Sequence, residues 1–213
     1  MKTKLYLPIA IATLLISVTN PAVATDSTQA APPTTAVSTE RGFTSVRLDQ
    51  NLIPTLHSLG INLSPLAPST LFFAGAGIAS FPIDSGVFDA PNSAGEISHS
   101  GGLVFTAPSK QLVVSSFVIQ VSSPGSGQSP ILTGLATLNG QLLGRIPLFD
   151  IDLSAATITF PSWRLKIAGA QLTLNAGAAT ALNSIFSTSA FNGDIAIGRG
   201  WVNAFTIPLP HGN

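Results

Sequence analysis

The chain has 213 residues, of which 45% are hydrophobic and 8% charged, and it contains no cysteine. So few charges exclude the clustered Lys and Arg that a nucleic-acid-binding domain needs to neutralise phosphates, and they argue equally against a polybasic contact with a membrane surface. Without cysteine there is no disulfide framework, thiolate metal site, Cys nucleophile or lipid-modified Cys.

At the N-terminus Lys2 and Lys4 precede an apolar run of 14 residues from Leu5 to Val18, followed by Ala22-Val23-Ala24. A charged n-region, an apolar h-region and a small-x-small site in that order are the marks of a secretory signal peptide. The run is shorter than the about 20 residues a membrane-spanning helix needs. Residues 1–24 are therefore expected to be cleaved, leaving 189 of the 213 in an extracytoplasmic compartment. That length suits one domain with a core of its own. Nine acids then face seven bases (Arg41, Arg47, Lys110, Arg145, Arg164, Lys166 and Arg199), a net charge of −2 with His neutral. No second run reaches spanning length, so no membrane span is expected after cleavage.

Residues 25–41 are rich in Ser, Thr, Ala and Pro without an apolar period, which predicts a disordered spacer before a single β-rich domain over 42–213. Phe43, Val46 and Leu48 predict a short strand. Asp49 then caps a short helix ending near Leu59-Gly60, with Pro54 in its first turn and Leu52, Leu56 and Leu59 on one face. The rest reads mainly as β. Residues 70–79, 95–106, 111–121, 131–138, 141–151, 156–160 and 164–174 are β-branched and aromatic runs separated by Pro, Ser and Gly turns. Asn139-Gly140 is the strongest hairpin signal, because a type I′ turn needs positive φ at both central residues. Asn175–Phe186 is Ala-rich with an apolar stripe and an Asn able to cap it, which predicts one amphipathic helix. A last strand runs from Asp194 to Ile207. Pro108–Val121 and Pro161–Leu174 echo one another in the placement of Pro-Ser and the apolar positions.

Candidate chemistry is sparse. His57, His99 and His211 show no metal-ligand spacing such as H-E-x-x-H. His99 sits in Glu96-Ile-Ser-His-Ser-Gly-Gly, a turn-like stretch where Glu96 and His99 would converge as candidate ligand-binding residues; the alternative is a surface or capping histidine. Asp150 and Asp152 share one face of a strand, an arrangement that serves a Ca²⁺ site, a glycosidase pair, or simply the capping of local backbone donors. No G-x-S-x-G elbow or phosphate-binding Gly loop is present. Haem needs an axial His, Tyr, Met or Cys, and beyond residue 24 only the three histidines remain. Trp163, after Pro161-Ser162, is the candidate aromatic for a sugar face, and Trp201 the second; both also suit partial core positions.

Gly101-Gly-Leu-Val-Phe, Leu132-Thr-Gly, Leu148-Phe-Asp-Ile-Asp-Leu, Leu172-Thr-Leu-Asn and the segment Gly193–Val202 together resemble a pattern in uncharacterised secreted bacterial proteins, and are loosely similar to all-β surface domains of the HtaA-like type. The resemblance implies a secreted, antiparallel β domain. It would also imply haem capture through a Tyr, but no Tyr follows residue 6 to carry that role, so the function is not transferred. The expectation is an all-β antiparallel sandwich or open barrel of roughly eight to ten strands with one or two short helices. Such a domain would be a secreted, non-enzymatic binding or cell-surface component with no cofactor, its partner a surface glycan or an envelope protein. The alternatives are an extracellular glycan-active enzyme using Asp150, Asp152 or Glu96, and a purely structural envelope protein.

Overall fold

The computed structural model describes residues 36–209 apart from Ala74, Ala76 and Pro124; the expected signal peptide, residues 25–35 of the spacer and His211 lie outside the described residues. The elements in chain order are β1 (Ala36–Leu48), α1 (Leu52–Ser58), β2 (Asn62–Leu66), β3 (Thr70–Phe72), β4 (Ile78–Asp89), β5 (Ala94–His99), β6 (Gly102–Ala107), β7 (Lys110–Val121), β8 (Ile131–Leu138), β9 (Gln141–Asp152), β10 (Thr157–Thr159), β11 (Arg164–Leu174), α2 (Ala176–Phe186) and β12 (Ala196–Pro208). The all-β antiparallel class holds, and the architecture is a barrel. Eight strands follow one another as β7-β5-β4-β1-β12-β11-β9-β8, and the β7–β8 ladder closes the ring.

The remaining strands widen one part of the wall. β5 and β6 lie end to end along β7, which pairs with Gly95–Ser98 through Val118–Val121 and with Gly102–Ala107 through Lys110–Ser115. The chain bends between them at Gly101, whose φ is +77 and where a Cβ would lie 2.6 Å from the Ser69 amide nitrogen, so only glycine fits. β2 adds to β6 and β3 to β4, while β10 adds to β11. The ring is strongly staggered. Crossing opposed residues from Leu48 leads through Gly198, Leu172 and Ile151. From the adjacent Asp150 the path runs through Ile131, Gln120, Glu96 and Val87, and re-enters β1 at Ser38. That is a stagger of about ten residues, against eight in the side-chain-filled barrel of (β/α)8 enzymes, and a larger stagger at equal strand number tilts the strands and widens the bore.

Alternation fills that bore with apolar side chains. On β7, Leu112 and Val114 point inward, then Ser116 at φ +50 shifts the phase so that Phe117, Ile119 and Val121 follow. Phe88, Ile97 and Leu165 are fully buried, each contributing about 1.5–3 kcal/mol by transfer from water. Both helices close the same mouth. α1 follows the end of β1 and α2 the end of β11, and those ends are joined through the start of β12 (Leu48 to Gly198 to Leu172). Asn175 caps α2 by accepting from the Gly177 amide at 2.9 Å, and Lys110 at the start of β7 donates to the Ile185 carbonyl at its other end.

Several boundaries differ from expectation. β1 begins at Ala36, so residues 36–41 of the expected spacer belong to the barrel wall. Pairing on both sides with β12 and β4 orders a segment whose composition alone carries no apolar period. Asp49 does not cap α1: Asn51 is the N-cap residue, and Asp49 accepts from its amide at 2.9 Å in a preceding turn. β4 runs through Pro82 and Gly86 to Asp89, and β2 contains Pro65. Proline is tolerated in β2 because it is an edge strand, paired with β6 alone. Among the described residues no helix is long and apolar enough to cross a membrane.

Candidate functional site

The bore is not completely filled. A cavity of about 100 Å³ runs along it, lined by apolar side chains that include Phe81, Leu103, Phe149 and Leu182, with Thr44 and His99 as its polar side chains. Strand alternation places both: Thr44 precedes inward Val46 and Leu48 on β1, and His99 follows inward Ile97 on β5. Phe81 and Phe117 stand edge to face nearby with centroids 5.0 Å apart.

His99 is 3% exposed and both ring nitrogens are engaged. Nδ1 lies 3.2 Å from the Phe117 carbonyl oxygen, which can only accept, so Nδ1 carries the proton. Nε2 is then the acceptor for the Thr44 hydroxyl at 2.6 Å. Burial among apolar groups lowers the imidazole pKa to about 4, a shift that the Phe117 carbonyl and the charge of Asp84 oppose. The ring is therefore neutral at ordinary pH.

The structure does not bring His99 and Glu96 together. Three residues apart on a strand they face opposite sides, and Glu96 stands outside, accepting from Gln120 at 2.6 Å. Asp150 and Asp152 flank inward Ile151 and point outward. Asp150 accepts from the side-chain amide of Asn175 at 2.9 Å, and Asp152 accepts from the Ser154 amide at 2.8 Å. The Ser154 amide and hydroxyl hold the Asp152 carboxyl below its usual pKa, opposite to what a general acid requires. Glu96 and Asp150 are separated by three strand-to-strand steps through Gln120 and Ile131, about 14 Å at the usual spacing of strands and beyond the reach of a glycosidase pair. Trp163 is 65% exposed and lies outside the cavity, at φ +62 after Ser162 at +44, its carbonyl accepting from the Thr206 amide at 2.8 Å. His57 is exposed in the last turn of α1. Among the described residues no three His, Cys, Asp or Glu are grouped to hold a metal. Sequence reasoning missed Thr44; the signal was its position two before Val46 on the inward face of β1.

No protein-family model and no curated protein sequence matches the chain. Among solved structures it is similar to the C-terminal domain of HtaA from Corynebacterium glutamicum, with a TM-score of 0.61 and 13% identity over 80% of this chain and 99% of that one. It is also similar to HtaB of the same organism, described as a heme binding protein, with a TM-score of 0.50 and 11% identity over 82% of this chain and 97% of that one. At such identities the likeness concerns the fold: the chain shares the barrel of the HtaA-like domains that its strand and turn pattern resembles.

Proposed function

We propose that this is an extracytoplasmic, non-enzymatic binding protein whose barrel takes a small apolar ligand, such as a short alkyl chain. The observation that carries this reading is the apolar cavity with Thr44 and His99 on its wall. Its volume of about 100 Å³ is below the roughly 300 Å³ of ordinary ligand pockets and close to the scale that admits a single small ring. The cavity touches residues of twelve of the fourteen elements, so a guest in it would be enclosed by the barrel wall and both helices. Haem, which HtaB is described as binding, is far larger than this space. Of the two described histidines, His99 has both nitrogens occupied and His57 stands on the surface. The N-terminal pattern supports export.

The test is a thermal-shift series with n-alkyl alcohols and acids of increasing length, since a ligand that binds the native state alone raises Tm. The rise should be lost in Ala170→Leu, which fills the cavity wall. No rise with any member, or an equal rise in Ala170→Leu, overturns the reading. Haemin titration is the competing arm: a Soret band that disappears in His57→Ala would replace the alkyl ligand with haem. Export is checked by fractionation, with a mature N-terminus expected at Thr25.

A further inference from the structure

The outer face of β1, β12 and β11 collects five of the seven basic residues that follow residue 24: Arg41, Arg47, Arg164, Lys166 and Arg199. The ladder registers give their neighbours. Phe205 stands between Arg41 and Arg164, Asn203 between Phe43 and Lys166, and Arg199 directly opposite Arg47. Arg47, Arg164, Lys166 and Arg199 face no carboxylate in these registers, while Arg41 lies across from Asp84 where the ladder runs on between Thr39–Gly86 and Phe43–Pro82. Glu40 sits in the bulge beside Arg41, and Asp152 lies at the border, opposite Gln171. Two arginines in direct register disfavour the fold by mutual repulsion, a cost that an anionic partner removes.

Between the cations stand exposed apolar side chains: Phe43, Trp201, Phe205 and Ile207, with Val87 reached through Ser38. The Arg164 guanidinium lies 4.2 Å from the Phe205 ring centroid. We propose that this face is the docking surface for an anionic lipid bilayer, the apolar side chains entering the headgroup boundary and the five cations meeting lipid phosphates. The presence of Ile207 and Val87 favours lipid over an acidic polysaccharide or a nucleic acid, because aliphatic side chains offer no planar face to a sugar or a base, whereas hydrocarbon accepts them. This surface is on the opposite side of the sheet from the cavity and stands independently of the ligand proposed there.

The chain's two tryptophans, Trp163 and Trp201, report directly on the surface: Trp201 lies within it, and the Trp163 carbonyl is bonded to Thr206 at its border. The experiment uses residues 25–213 with vesicles of phosphatidylcholine alone, or with an equal part of phosphatidylglycerol, each carrying brominated acyl chains that quench nearby indoles. Quenching is expected with the anionic vesicles, weak with the neutral ones, and reversed by high salt. Each cation contributes about fivefold to partitioning on an anionic leaflet, so Arg47→Gln/Lys166→Gln/Arg199→Gln should need on the order of a hundredfold more lipid. Gln128→Glu/Gln141→Glu/Ser184→Glu, the same change of net charge elsewhere, should behave as the parent. Arg47→Lys/Arg199→Lys should retain binding, which separates charge from fold. Quenching equal on both vesicles, or unchanged in the Gln triple variant, overturns the proposal. So does a tryptophan response to soluble polygalacturonate with none to vesicles, which would assign the face to an acidic polysaccharide.

Discussion

Acid should weaken this barrel through a single side chain. An ordinary histidine titrates near 6.5, whereas burial holds His99 near 4. Between those values the unfolded chain takes up a proton that the folded chain does not, so unfolding is favoured as pH falls. The stability is fully present above about 6.5 and is lost on descent towards 4. Two and a half units at about 1.36 kcal/mol each give about 3 kcal/mol in all, of which about 2 kcal/mol are gone by pH 5. For a chain of this size that is a fall in Tm of about 4–8 °C from pH 7 to pH 5. The Asp152 carboxyl, also held below its usual value, adds a loss in the same direction, but only below the ordinary carboxylate range. The assay is urea unfolding at pH 7, 6 and 5, followed by tryptophan fluorescence. In Thr44→Val/His99→Leu the titrating ring and its hydroxyl partner are both removed, and the dependence over this window should flatten whatever the absolute stability. A parent as stable at pH 5 as at pH 7, or a double variant with an unchanged slope, would refute the buried neutral imidazole.

Gly42→Ala should cost about 3 kcal/mol or more, since φ is +136 and a Cβ would lie 2.1 Å from the Asn203 carbonyl oxygen; a urea midpoint near the parent's would contradict the close approach of β1 to β12. Asn175→Ala should cost about 1–2 kcal/mol by uncapping α2 and freeing Asp150. A cycle with Asp150→Ala should show coupling between the two positions, and simple additivity would mean that the side-chain bond adds nothing to the cap.

The sequence pattern made much of this fold legible where local chemistry decides. Asn139-Gly140 has positive φ at both residues, as its turn requires, and Asn175 caps α2 through its side chain. β4 and β2 were hidden because Pro82, Gly86 and Pro65 read as breaks, while pairing partners far along the chain override that local tendency. Closure of the ring also lay beyond reach, since it depends on β7 meeting β8 on one side while β5 and β6 share the other. At the site, Glu96 and His99 read as a pair at a turn, and only the strand they share puts them on opposite faces, with Thr44 as the inward partner of His99. The low total charge concealed the basic face for a similar reason. Arg199, Trp201, Asn203, Phe205 and Ile207 alternate along β12, yet their alignment with Arg41, Arg47, Arg164 and Lys166 exists only across strands.

The ladder between the first and last strands joins residues from Leu48 with Gly198 to Val37 with Pro208. Those contacts span most of the chain, and loop closure of that length comes late in folding. A chain made N-terminus first could pair β1 with β4 early, but β1 would present its other edge bare until β12 arrived. Until that moment the cavity has no wall on one side. The arrival of β12 therefore both completes the bore and covers the open edge of β1.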